Sequence, residues 1–236
     1  MAPDTRARRR LLVAAALMAA MFTVGALLSS IGRPSPPDSP HADETPSAPR
    51  PTVPTGVAGP VAERAGVPVG FGRDEQGAVA AGVAYAVAPQ RWLYFTDDEI
   101  SSALAEIATP IAAPRLTDEV VTDVRLAREQ LGTSPGRVWW LVRPLAWRVE
   151  RYSPDEASVA VWTVTVLSAE GVAAPQTEWI TVTVDLAWVD GDWRVDAVRD
   201  TPGPTPQTGP KDQPWDAGPF DESLAGFTRM DGEELS

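Results

Sequence analysis

The sequence predicts an α+β domain in which three helices pack on a strongly bent four-stranded antiparallel sheet, with one transmembrane helix ahead of it. Three observations carry this expectation. They are an uncharged apolar run from Leu11 to Ile31, three successive stretches of helical period between Asp74 and Gly132, and a change to period two after Gly136. Helices followed by strands, and not alternating with them, gather on one face of an antiparallel sheet. The chain accordingly divides into a basic tail (1–10), a transmembrane helix (11–31), a Pro-rich linker (32–69), the α+β domain (70–202) and an acidic Pro/Gly-rich tail (203–236).

Arg6, Arg8, Arg9 and Arg10 precede the apolar run. From Leu11 to Ile31, at 1.5 Å per residue, a helix just crosses a hydrocarbon layer of about 30 Å. Backbone groups cannot go unpaired in lipid, so the run is expected to be helical throughout. The positive-inside rule puts the amino terminus in the cytoplasm and everything after Arg33 outside the cell membrane. A cleaved signal peptide is the competing reading. Its apolar region is usually shorter, and Ser30-Ile31-Gly32 is a poor cleavage site. Ala15 with Ala19, and Ala16 with Ala20, have the spacing of close helix approach, which an Ala-rich helix produces by composition alone.

Nine prolines between Pro34 and Pro60, set among Ser, Thr, Asp and Glu, cannot form a core. They suit an extended spacer of about 3 Å per residue. The first helix is expected from Asp74, with Val79, Val83, Ala86 and Val87 on its buried face, until Pro89. A capping box of Thr96 and Glu99 opens the second, whose stripe is Ile100, Leu104 and Ile107, and Pro110 stops it. Thr117 is expected to cap the third, with Asp118 and Glu119 in its first turn, then Val120, Val124, Ala127 and Leu131, closing at Gly132.

Val138 to Tyr152 reads as a long strand. Pro144 inside it demands an edge, a bulge or a bend, because proline cannot donate to the ladder. Ser153 to Glu156 is a turn with Pro154 at its second position. Val159–Leu167 and Trp179–Val189 follow as strands, the latter with Ile180, Val182, Val184, Leu186 and Trp188 facing the core and Thr181, Thr183 and Asp185 facing away. Asp190-Gly191 closes a hairpin into Trp193, Val195 and Ala197, and Pro202-Gly203-Pro204 ends the sheet. In the tail, Phe220, Leu224 and Phe227 give one amphipathic turn that either docks or stays disordered.

Composition excludes several function classes. The net charge of -12 offers no clustered basic surface for phosphates, so neither DNA nor RNA is an expected direct partner. There is no Cys, and the one His, His41, lies in the linker. Disulfides, thiolate chemistry, Cys- or His-based metal sites and His-dependent triads are therefore not expected. The first 31 residues carry +3 and the remainder -15, which keeps an outward-facing domain soluble. Arg outnumbers Lys so strongly, Lys211 being the single Lys, that a genome of high GC content is suggested, such as that of an actinobacterium.

The candidate interaction residues are Trp139, Trp140, Thr181 and Thr183. Seven of the nine Trp lie in strands, where core packing is their default. Adjacent Trp139 and Trp140 must point to opposite faces, so one lies under the helices or partly exposed on the outer sheet, where an exposed Trp makes a docking hot spot. The outer face is expected to be flat and polar, with Thr163, Thr165, Thr181 and Thr183 on it, a surface better suited to protein contact than to capture of a small molecule.

The run Asp185-Leu186-Ala187-Trp188-Val189-Asp190-Gly191-Asp192-Trp193-Arg194-Val195-Asp196, placed after such helices, resembles the last hairpin of the nuclear-transport-factor-like cone fold. Enzymes of that fold, ketosteroid isomerase-like and polyketide-cyclase-like, rely on an inward Asp or His with Tyr or Asp donors. Here Asp185 reads as the only carboxylate within a core strand, and it falls on the polar face. No catalytic, cofactor-binding or metal-binding residue is therefore assigned, and the domain is read as non-enzymatic. Anchor, spacer and cone, with Arg148-Val149-Glu150-Arg151-Tyr152, are similar to the bitopic assembly hubs of type IV secretion and conjugation machines. These include the eighth VirB-type component and the TcpC-like family, and the chain most resembles such proteins of actinobacterial conjugative elements. The resemblance implies a single-pass scaffold subunit whose partners are the lipid bilayer, other membrane subunits of a transfer channel and, through self-association, a homo-oligomer. An extracytoplasmic ligand-binding or regulatory module, or a cone-fold enzyme, fits the same anchor and spacer.

Overall fold

A computed structural model describes residues 59–131, 137–206, 222–230 and 232. The expected basic tail, the transmembrane helix from Leu11 to Ile31 and nearly all of the Pro-rich linker lie outside them. Among the described residues no helix is long and apolar enough to cross a membrane.

The architecture is α+β. Its elements in chain order are β1 (Ala62–Arg64), β2 (Val67–Val69), α1 (Glu75–Val87), the one-turn α2 (Pro89–Trp92), α3 (Asp97–Ile107), α4 (Ala113–Leu131), β3 (Val138–Tyr152), β4 (Glu156–Ala169), β5 (Ala173–Val189), β6 (Asp192–Pro202) and β7 (Thr228–Arg229). β1 and β2 pair with each other, and the remaining strands form one antiparallel sheet in the order β6-β5-β4-β3-β7. The main core lies between the helices and one face of this sheet, called the inner face below.

Several expectations change. The sheet has five strands, not four, because the tail supplies β7, which pairs Arg229 with Ala146 and Thr228 with Trp147. The folded region starts before residue 70: β1 and β2 lie in the stretch read as linker, and Val67 and Val69 are buried in the core. β5 begins six residues earlier than its aromatic start suggests, since Ala173–Thr177 continues the hairpin from β4. α4 begins at Ala113, four residues before Thr117, because the hydroxyl of Thr109 accepts from the Ala112 N–H at 3.1 Å and supplies the entry. The capping box at Thr96 and Glu99 forms, as do the buried stripes of α3 and α4.

α1 departs from its expected face. Its buried stripe is Gly77, Ala78, Ala81, Gly82, Tyr85 and Ala86, while Val79 and Val83 are only half-buried. Small residues win here because the helix lies close against β4. A Cβ built on Gly82 would stand 2.8 Å from Val159 Cβ.

The end of the β5–β6 hairpin fastens α1 and the segment before it. Asp190 and Gly191 both have positive φ, 53° and 82°, the geometry of a two-residue turn with matching twist. The Asp192 carboxylate then accepts from the N–H groups of Gly70 (2.6 Å), Phe71 (2.9 Å) and Trp193 (2.9 Å). Trp193, fully buried, donates its indole N–H to Gly72 O at 2.8 Å and accepts from the Tyr85 hydroxyl at 3.1 Å through its carbonyl.

Two outcomes test this packing. Gly82→Ala would gain about 1 kcal/mol of helix propensity but is expected to lose about 1–2 kcal/mol net in urea unfolding, because the new methyl overpacks against Val159. Combining it with Val159→Ala should recover part of that loss. Asp192→Ala is expected to cost about 2 kcal/mol, with chemical denaturation as the measure, since three N–H groups lose a charged acceptor.

Candidate functional site

The sheet presents two chemically different faces, and strand register decides what lies on each. In β3, Trp140 is 5 % exposed and belongs to the main core. Its neighbour Trp139 is 52 % exposed on the outer face, with Leu141 at 36 % two residues on. Trp139 lies opposite Ser168, Leu141 opposite Val166, and Val164 opposite Trp179, so these apolar side chains share one end of the outer face. The Arg137 guanidinium stands 5.8 Å from the Trp139 ring centroid.

Thr181 and Thr183 lie on the same outer face, half-buried, opposite Trp162 and Ala160. Thr163 and Thr165 do not join them. Thr163 pairs with the inward Ile180, so it and Thr165 point into the core, fully buried, and Thr163 donates its hydroxyl to Ile180 O at 3.1 Å. The outer face is therefore not the flat, uniformly polar surface expected from composition. Its middle is covered by the tail: Leu224 and Phe227 are buried against Ala146, Ala160 and Trp162, and the Arg148 guanidinium sits 4.6 Å from the Phe227 ring. Docking is the branch the tail takes for Leu224 and Phe227, while Phe220 lies outside the described residues. The apolar patch at Trp139 remains exposed at one end, and a polar group of Ser158, Asp185 and Arg199 occupies the other.

Asp185 faces outward, as expected, and is committed there. It accepts from the Ser158 hydroxyl at 2.7 Å and pairs with Arg199. It is not the only strand carboxylate that matters. Asp200 points to the inner face among apolar side chains, where strict alternation continued from Trp193, Val195 and Ala197 would leave it outside. The register slips between Asp185 and Leu186: Val195 pairs with Leu186 but Ala197 with Asp185, leaving Asp196 as the extra residue. Beyond the slip, Val198 and Asp200 turn inward and Arg199 turns outward to meet Asp185. The adjacent Ala197-Val198 pair, which interrupts period two, was the signal available in the sequence.

Burial in this apolar setting pushes the Asp200 carboxyl up from its ordinary 3.8 to about 6, opposed in part by a hydrogen bond from its own backbone N–H. Tyr85, on the same side, is raised by burial first and then by the negative charge of Asp192. At the helix end of the domain, Asp97 is held below the usual carboxylate range by hydrogen bonds from Arg125 and Arg128, which join α3 to α4. Among the described residues no three His, Cys, Asp or Glu side chains gather closely enough to hold a metal ion.

The Asp200 shift has a definite sign. The unfolded chain loses this proton at lower pH than the folded protein, so the stabilisation is complete below the unfolded value and is lost as pH rises through about 6. Thermal unfolding followed across pH 4 to 8 should show Asp200→Asn more stable than the parent above about pH 7 and equal to it near pH 4. A constant offset at every pH would contradict the burial argument.

No curated protein and no solved structure matches the chain. Residues 29–213 match a family described as a domain of unknown function, DUF8175, a span that runs from the end of the apolar segment past β6 and stops short of β7. The chain belongs to the DUF8175 family.

Proposed function

We propose that the protein is a non-enzymatic, membrane-anchored scaffold subunit. Its α+β domain, in the cone arrangement of nuclear-transport-factor-like folds, makes protein contacts outside the membrane as part of a conjugation or type IV secretion-like transfer channel. The observation that carries this reading is the exposed apolar end of the outer sheet face, where Trp139 and Leu141 stand beside Val164, Val166 and Trp179. An exposed Trp on a strand, backed by a rigid sheet and flanked by a guanidinium, has the make-up of an interface hot spot. The basic, apolar amino-terminal segment and the Pro-rich spacer support its delivery to the outer side of the bilayer. The transfer-channel setting rests on the resemblance to bitopic assembly hubs.

Photocrosslinking in the native host tests the reading. A photoreactive residue at position 139 is expected to capture named membrane subunits of a transfer channel, and one at Asp118, on the helical side, is not. Trp139→Ala should lower DNA transfer about tenfold, the loss expected of an interface aromatic, with thermal unfolding unchanged. Recovery of the protein crosslinked only to itself, or unaltered transfer, would overturn it.

A further inference from the structure

The inner face holds a second feature that protein docking does not use. Between the helices and the sheet lies a cavity of about 60 Å³, several times the space one water needs. Leu104, Ile107, Leu116, Val120 and Val182 supply most of its walls, and Tyr85, Trp92 and Asp200 supply the groups with polar atoms. The Tyr85 hydroxyl is already committed to Trp193 O. The Trp92 Nε1 is buried without a partner. Asp200 has no cationic side chain beside it among the cavity-lining residues, and Tyr85 is the other titratable group there. A carboxyl set among apolar walls and met only by its own backbone N–H is costly to folding, and that cost falls when a ligand supplies a further donor.

We propose that this cavity is a binding site for a small, predominantly apolar molecule carrying one hydrogen-bond-donating head, a hydroxyl or an ammonium, that docks against Asp200. The apolar walls select the body of the ligand, and Asp200 selects the head. A hydroxyl both donates and accepts, whereas an ammonium only donates and brings a charge, so the two heads make different demands on the site. The near-neutral titration of Asp200 supports either head, because a carboxyl that ionises reluctantly gains most from a donor. The site is on the opposite face of the sheet from Trp139, so it is independent of the scaffold reading.

Three probes of equal heavy-atom number separate the cases: 3-methylbutan-1-ol, 3-methylbutylamine and isobutyl methyl ether, the last an isomer of the alcohol with no donor. Each is titrated into the full chain while the indole N–H resonances are followed by NMR. The alcohol or the amine is expected to bind about tenfold more tightly than the ether and to shift the Trp92 indole signal. Preference for the alcohol or for the amine identifies the head. Asp200→Leu should abolish the discrimination, and Trp139→Ala should leave it intact, which distinguishes failure here from failure of the docking surface. Equal affinity for all three probes, no binding, or a response confined to Trp139 would overturn the proposal.

Discussion

The fastening of the amino-terminal segment onto the β5–β6 hairpin by Asp192 and Trp193 is the interaction on which the remaining structure depends. Asp192 takes the N–H groups of Gly70 and Phe71, Trp193 gives its indole N–H to Gly72, and Tyr85 of α1 reaches the Trp193 carbonyl. Each of these groups would be expensive to bury unpaired, so one helix position and one sheet register satisfy them together. Trp193 also packs edge-on against Trp188 at 5.4 Å and lies 6.2 Å from Tyr152, which extends the same anchor across to β3. With α1 held there, its glycine and alanine stripe can approach β4 closely enough that even one methyl group is unwelcome at Gly82.

Two register shifts then decide which chemistry each face carries. The shift between Pro144 and Ala146 puts Ala146 on the outer face, where Leu224 and Phe227 of the tail pack on it, while β7 pairs alongside. The shift between Asp185 and Leu186 turns Arg199 outward to pair with Asp185 and turns Asp200 inward to the cavity. One extra residue in β6 thus produces an ion pair on one side of the sheet and an isolated carboxyl on the other.

The two faces suit different kinds of partner. Outside, an exposed Trp with apolar neighbours offers a rigid aromatic anchor to another protein, bounded by the docked tail and by the Asp185–Arg199 pair. Inside, an apolar cavity with one carboxyl on its wall suits a small molecule. Because the sheet separates them, occupancy of one face does not by itself block the other.

The sequence alone determined the class of fold, the order of its three longer helices and four long strands, and much of their phase. Capping at Thr96, the stripes of α3 and α4, the limits of β3 and the Asp190-Gly191 turn are set by neighbours within a few residues, where hydrogen-bonding geometry and periodicity act directly. The inward face of β5 was legible for the same reason. Tertiary structure decided what depends on partners distant in the chain. α1 shows its small residues to the sheet because Val159 crowds it, α4 starts early because Thr109 is placed to cap it, and β1, β2 and β7 are too short to show a period. Thr163 and Thr165 follow the period of β4 itself, inward with Val159, Val161 and Leu167, whereas the orientation of Asp200 follows from how β5 and β6 slip against one another. An alternating pattern carries no memory of face once a single residue is inserted, so only the pairing partner says which side a residue joins.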